Sequence, residues 1–206
     1  MSQAMRRLMV LAAGVALSAV LVAPADAAQP VRLFDGTSTE GWSQAGPGGF
    51  DVGGGKLTSR DGMGLLWYHG RQFGDFILTL DWRVTSATDN SGVFLRFPDP
   101  GGDPWVGVNS GYEIQINDNP AGDPQKTGAV YNFQQAARRA SKPVGQWNSY
   151  LIKVVGQRYQ VFLNGELVND FTGTHPDRGR TGYVGLQNHD PTTHAQFRNL
   201  WLRPLT

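Results

Sequence analysis

The chain has 206 residues, with 18 Lys and Arg against 17 Asp and Glu, 27 Gly and no Cys. That length suits one domain, the near-zero charge speaks against nucleic acid as a partner, which needs a basic surplus, and the 40% hydrophobic content speaks against disorder. Gly at nearly twice its usual ~7% argues against a mainly helical fold, and without Cys neither disulfides nor a thiol nucleophile is available.

In chain order, Arg6 and Arg7 precede an apolar run from Leu8 to Ala23, followed by Pro24 and Ala25-Asp26-Ala27. This is the order of a secretory signal peptide, a charged start, an apolar stretch and a small-x-small cleavage site. The run is too short for the ~20 residues that span a bilayer. The expected organisation is a signal peptide over residues 1–27 and one domain over 28–206, secreted or periplasmic, with no stable membrane insertion after cleavage.

Beyond it, apolar and polar residues alternate with the period of a strand. Phe76, Leu78, Leu80, Trp82 and Val84 share a face, then Val93, Leu95 and Phe97, with Phe94 and Arg96 opposite. Tyr112, Ile114 and Ile116 alternate with Glu113, Gln115 and Asn117. Tyr150 to Val154 and Tyr159 to Leu163 follow, the second ending in Asn164-Gly165, a strong hairpin signal. Tyr183 to Gln187 and Phe197 to Leu202 are the last predicted strands, and only Gln134 to Ala140 reads as a short helix. The pattern predicts an all-β fold, an antiparallel sandwich or jelly roll.

Gly53-Gly54-Gly55-Lys56 lacks the first Gly and the Ser or Thr of a phosphate loop and reads as a turn. Neither a Gly-x-Ser-x-Gly elbow nor a His-Glu-x-x-His zinc motif occurs. Glu113 stands alone inside a strand between amide side chains, a candidate for acid, base or metal-binding work, with a solvated face or a pair with Arg96 as the structural alternative. Jelly-roll glucanases place two carboxylates on such a face, but the next positions here are Gln115 and Asn117. The second carboxylate of an ordinary glycosidase is missing, unless Asp118 or Asp190 supplies it. His189, just past a strand end, has the side chain suited to proton transfer near neutral pH. The oxygens of Asn117, Asp118, Asn119 and Asp123 would suit calcium or ordinary turns. A divalent cation is thus compatible with the sequence and not demanded by it, and no metal ligands are assigned.

Leu33-Phe34-Asp35-Gly36 with Gly41-Trp42, Asn90-Ser91-Gly92-Val93-Phe94-Leu95-Arg96, Tyr112-Glu113-Ile114-Gln115-Ile116, Thr127-Gly128-Ala129-Val130-Tyr131, Lys142-Pro143, Gly145-Gln146-Trp147-Asn148 and Gly185-Leu186-Gln187-Asn188-His189 stand in order. With Phe197-Arg198-Asn199-Leu200 they make residues 31–206 resemble the 3-keto-disaccharide hydrolase domain family. Gln146 and Asn188 depart from it where Glu and Asp are common. The resemblance implies a concanavalin A-like jelly roll acting on small carbohydrates. A 3-ketone acidifies the C2 proton, so a glycoside could be cleaved by elimination and rehydration with one acid and one base. Glu113 and His189 are then the candidate proton-transfer pair, with Arg96 or a cation as stabiliser of the enolate oxygen. Asn90, Ser91, Gln115, Tyr131, Lys142 and Gln187 are candidates for holding substrate. The alternative is a non-catalytic, lectin-like carbohydrate-binding module, with Trp67, Tyr68 and Trp105 as stacking surfaces.

Overall fold

A computed structural model describes residues 29–121 and 123–205; the expected signal segment lies outside the described residues. Strands run as β1 Val31–Arg32, β2 Trp42–Ala45, β3 Gly49–Gly53, β4 Lys56–Arg60, β5 Gly64–Tyr68, β6 Phe76–Arg83, β7 Asn90–Phe97, β8 Tyr112–Asn117, β9 Asn148–Val155, β10 Arg158–Leu163, β11 Glu166–Thr172, β12 Tyr183–Asn188 and β13 Gln196–Pro204, with one short helix, α1 Val106–Ser110. They form two antiparallel sheets, ordered β11-β10-β9-β6-β13-β4-β3, with β1 beside β13, and β2-β5-β12-β7-β8. The antiparallel all-β sandwich expected from the alternation is the fold observed, and it is the lectin-like jelly roll that the family resemblance implies.

The alternation explains the core. Phe76, Leu78, Leu80 and Trp82 of β6, with Tyr150, Ile152 and Val154 of β9, face Val93, Leu95, Tyr112, Ile114 and Ile116 of the smaller sheet, all buried. The hairpin at Asn164-Gly165 joins β10 to β11, with φ of 52° and 87°, the left-handed pair that a two-residue turn of this type requires. Residues 134–140 are not helical. Ala137 N–H donates to the Val168 carbonyl, and the Asn169 side chain donates to the carbonyls of Gly128, Gln134 and Gln135. Tertiary bonds to β11 thus outweigh a local helical preference.

A bulge in β7 places the site. Phe97 pairs with Tyr183 and Leu95 with Val184, leaving Arg96 as the extra residue, with φ 54°. Alternation therefore breaks at Arg96. Phe97 turns to the outer face, where it joins Ala45, Leu65, Trp67 and Phe94 in a small second core beneath Val106 and Val108 of α1. At the other side, residues 127–131 run along the free edge of β8. Thr127 N–H donates to Asn117 O, Gly128 N–H to Gln115 O, and Tyr131 N–H to Glu113 O (3.1, 2.9 and 2.9 Å). The edge is covered, as exposed sheet edges usually are, and the outer face of the small sheet becomes the floor of a cleft between α1 and residues 127–134.

Candidate active site

The cleft is a cavity of about 340 Å³. Its floor carries Asn90 of β7, Glu113 and Gln115 of β8, Gln187 of β12 and His189 just beyond it; its walls carry Trp105, Val108 and Asn109 on one side, Tyr131 and Asn132 on the other, with Met63 also lining it. Six expected site residues, Asn90, Glu113, Gln115, Tyr131, Gln187 and His189, thus converge from positions up to 99 residues apart in sequence. Strand parity does this, since residues two apart share a face.

Glu113 is 3% exposed. Burial pushes its carboxyl up to about 8, the hydrogen-bonding side chain of Gln187 pulls it back in part, and the charge of Asp123 raises it further. Burial disfavours the charged form of a carboxylic acid. Gly92, opposite Gln115 in the register, makes the space: a Cβ there would lie 2.2 Å from Glu113 Oε1. Tyr131 is coupled to the same group. Its phenol is raised first by burial, then by the charge and hydrogen bond of Asp123, then by Glu113.

His189 is oriented by its neighbour. Its Nδ1 lies 2.9 Å from Asp190 Oδ2. Although burial acts to raise the Asp190 carboxyl, hydrogen bonds from Thr192, His189 and Thr193 hold it well below the usual carboxylate range. An ionised carboxylate only accepts, so Nδ1 donates to it, and the tautomer this selects has its lone pair on Nε2. The carboxyl oxygens of Asp190 are fixed by the Thr192 and Thr193 amides and hydroxyls, at 2.6–3.1 Å. Within the cavity, Gln187 Oε1 and Asn90 Oδ1 are buried acceptors without a partner among the described residues, the pattern expected where a ligand or water completes the site.

Other expected site residues lie elsewhere. Arg96 does not share the face of Glu113, because the bulge turns its side chain between the sheets. There it donates to the Gly74 carbonyl (2.9 and 2.6 Å), Asp75 (2.8 Å), Gly156 O and Tyr159 Oη, with Phe76 and Tyr159 rings beside the guanidinium. Those donors are spent on the fold, so the enolate-stabilising role expected of Arg96 is withdrawn. Ser91, one residue from Asn90, faces the core and donates to Gln187 O at 2.6 Å. Lys142 lines a separate depression with Trp82, Asp118 and Arg139, and its ammonium donates to Trp147 O (3.1 Å). Neither Ser91 nor Lys142 lines the cleft. Asn188 points away from the cleft, donating to Arg60 O. Of the aromatic candidates, Trp67 belongs to the second core and Tyr68 packs against Trp42, while Trp105, 54% exposed, stands at the cleft wall.

The possible calcium oxygens make turns instead: Asn117 Oδ1 accepts from Asn119 N–H, Asn119 Oδ1 from Ala121 N–H, and Asp123 Oδ1 from Gln125 N–H. Among the described residues no three His, Asp or Glu side chains come together as a metal site. Sequence reasoning gave no positioning role to Asp190 and none to Asp123 behind Tyr131. The run His189-Asp190-Pro191-Thr192-Thr193 carried the signal for the first, an Asp able to cap a Thr-rich turn.

Comparison with known proteins agrees with this architecture. A Bacteroides thetaiotaomicron protein named 3-keto-disaccharide hydrolase is 28% identical over 160 residues, covering 64% of this chain and 54% of the relative; the chain thus spans about half the length of that curated relative. A solved Parabacteroides distasonis protein with a provisional glycosyl hydrolase label superposes with a TM-score of 0.71 at 25% identity, covering 86% of this chain and 100% of that one. The carbohydrate-binding module CBM66 of Bacillus subtilis shares the fold alone, with a TM-score of 0.55 at 16% identity, covering 84% of this chain and 99% of that one. The 3-keto-alpha-glucoside-1,2-lyase-like domain model matches residues 29–203, nearly the whole described chain, and the protein belongs to that family.

Proposed function

We propose that the protein is a glycosidase-type enzyme that cleaves 3-keto-glycosides by elimination and rehydration, and that it works outside the cytoplasm after loss of residues 1–27. The observation that carries this proposal is the pairing, in one cleft, of a buried Glu113 that is mostly protonated at neutral pH with a His189 whose Nε2 is left as a base. A protonated carboxyl and an imidazole with a free ring nitrogen in the same cleft supply an acid and a base. A module that only binds sugar has no use for a carboxyl held in such a costly place, so the enzyme is favoured over the lectin-like alternative.

His189 takes the C2 proton, the electrons of that bond form C1=C2 as the C1–O bond breaks, and Glu113 gives its proton to the departing oxygen. Glu113 then takes a proton from water as the hydroxyl adds to C1, and His189, whose abstracted proton has exchanged with solvent at the intermediate, delivers a solvent-derived proton to C2. Both side chains end as they began. The amides of Asn90, Gln115 and Gln187 and the Tyr131 phenol are the groups available to the sugar oxygens, and Trp105 offers a face for a ring. The test is aglycone release from a 3-keto-glucoside beside the unoxidised glucoside. Only the first should react; equal cleavage of both would overturn the proposal.

A further inference from the structure

The loop between β11 and β12 brings Arg178 behind the cleft, outside its lining. Its Nη1 donates to the Val108 carbonyl in α1 at 3.0 Å, and its guanidinium lies over the Phe133 ring at 4.7 Å and the Tyr112 ring at 5.1 Å. Each contact is in the cleft wall or next to a cleft residue in sequence: Val108 lines the wall, Phe133 follows Asn132, and Tyr112 precedes Glu113. Among the described residues no carboxylate pairs with Arg178, and its Nε is buried without a partner. Burial lowers its guanidinium from the ordinary value. A partly buried cation without a counter-ion is an expensive way to fill space, since an apolar side chain would pack there at no desolvation cost. The contacts that offset it are those that join the two walls. The loop is itself tied down, because Gln157 Nε2 donates to the Arg178 carbonyl (3.2 Å) and Arg178 N–H to His175 O (3.3 Å).

We infer that Arg178 is a positioning residue that clamps the α1 wall of the cleft to the wall at residues 131–134, and so sets the width in which the sugar is held. Its bearing on catalysis rests on the proposed function; the clamp itself does not. The walls carry Trp105, Asn109 and Asn132, whereas Glu113 and His189 sit on the sheet floor. Loosening the walls should therefore weaken substrate binding more than proton transfer.

The test compares wild type with Arg178→Met, which keeps apolar contact and removes the hydrogen bond and charge, and with Arg178→Lys, which restores a donor without the planar stack. The amides of Asn109 and Gly111, bonded within the α1 segment, and of Phe133 and Gln134, bonded to Val130 O, report the two walls by hydrogen exchange. In Arg178→Met all four should exchange about tenfold faster, the size expected for losing one charge-assisted hydrogen bond, with amides of β9 unchanged and Arg178→Lys intermediate. With a 3-keto-glucoside, KM should rise by roughly tenfold while kcat holds, as for a loss of uniform binding. Unchanged exchange at either wall, or equal acceleration throughout β9, would overturn the clamp. Faster wall exchange with unaltered KM would overturn the positioning role. If wild type cleaves no 3-keto-glycoside, the proposed function falls, and the exchange data still decide the clamp.

Discussion

Two ionisable side chains are buried on neighbouring strands of the small sheet, Arg96 on β7 and Glu113 on β8, and the fold treats them in opposite ways. Every face of Arg96 is occupied: backbone carbonyls of Gly74 and Gly156, the Asp75 carboxylate, the Tyr159 hydroxyl and two aromatic rings. Glu113 is as buried, yet among the described residues no cation stands beside it, its acidic neighbour Asp123 worsens its position, and a cavity opens in front of it. A buried ionisable group that is fully partnered belongs to the scaffold, whereas one kept at odds with its surroundings in a cleft is a candidate for chemistry.

Exchanging the two should therefore have opposite consequences. Glu113→Gln should lower turnover by about 10² to 10⁴, the usual loss for a general acid or base, while at neutral pH it raises the melting temperature, because folding no longer has to protonate a carboxyl that is ionised in the unfolded chain. Arg96→Met should do the reverse. It leaves the carbonyls of Gly74 and Gly156 and the Asp75 carboxylate without their donor, and should lower the melting temperature by roughly 5–15 °C, while the folded fraction keeps its kcat. Kinetics and thermal melts on both variants check this, and an Arg96→Met protein that is stable but inactive would break the contrast.

The acidity of Glu113 sharpens it further. As the acid, Glu113 must be protonated, so kcat/KM should fall as pH rises through about 8. Stability carries the same sign. A carboxyl whose folded value lies above its ordinary 4.5 contributes fully below that value, and the contribution is lost as pH rises through about 8. Wild type should thus lose stability relative to Glu113→Gln between about pH 5 and 8, by an amount on the order of a few kcal/mol. Denaturant melts at a series of pH values read this directly; a rate that climbs through pH 8 would instead make Glu113 the base.

A smaller effect is expected at Gly92, whose missing side chain makes room for the Glu113 carboxyl. Gly92→Ala puts a methyl 2.2 Å from Oε1 and 2.8 Å from Cγ. The carboxyl must move, so turnover should drop while stability falls by about 1–3 kcal/mol, as for other overpacked sites. An active Gly92→Ala enzyme would show that the position of the carboxyl matters little.

Much of this was legible in the sequence, and the misses have physical causes. Alternation gave β6 through β10 and the face of Glu113. It could not show the bulge at Arg96, since one inserted residue reverses parity without altering composition. Ser91 was excluded by the same parity that selects Asn90, and the family resemblance had drawn both in together. Lys142 lies in a loop, where period says nothing about direction. The strands β1 to β5 were missed because they are short and interrupted by Gly and turn residues, so no run was long enough to show a period. The Asp190 contact depended on the turn made by Thr192 and Thr193, a three-dimensional arrangement that adjacency alone did not specify.

The central claim, that the Glu113 and His189 cleft cleaves by elimination, is tested most directly in deuterated water. A 3-keto-glucoside is cleaved to low conversion, the ketone is reduced at once with borohydride, and the liberated sugar is read by NMR beside a control of free 3-keto sugar carried through the same steps. Elimination and rehydration predict deuterium at C2 in essentially every released molecule, well above the control. Released sugar that retains its original C2 proton would show direct displacement at C1 and contradict the account.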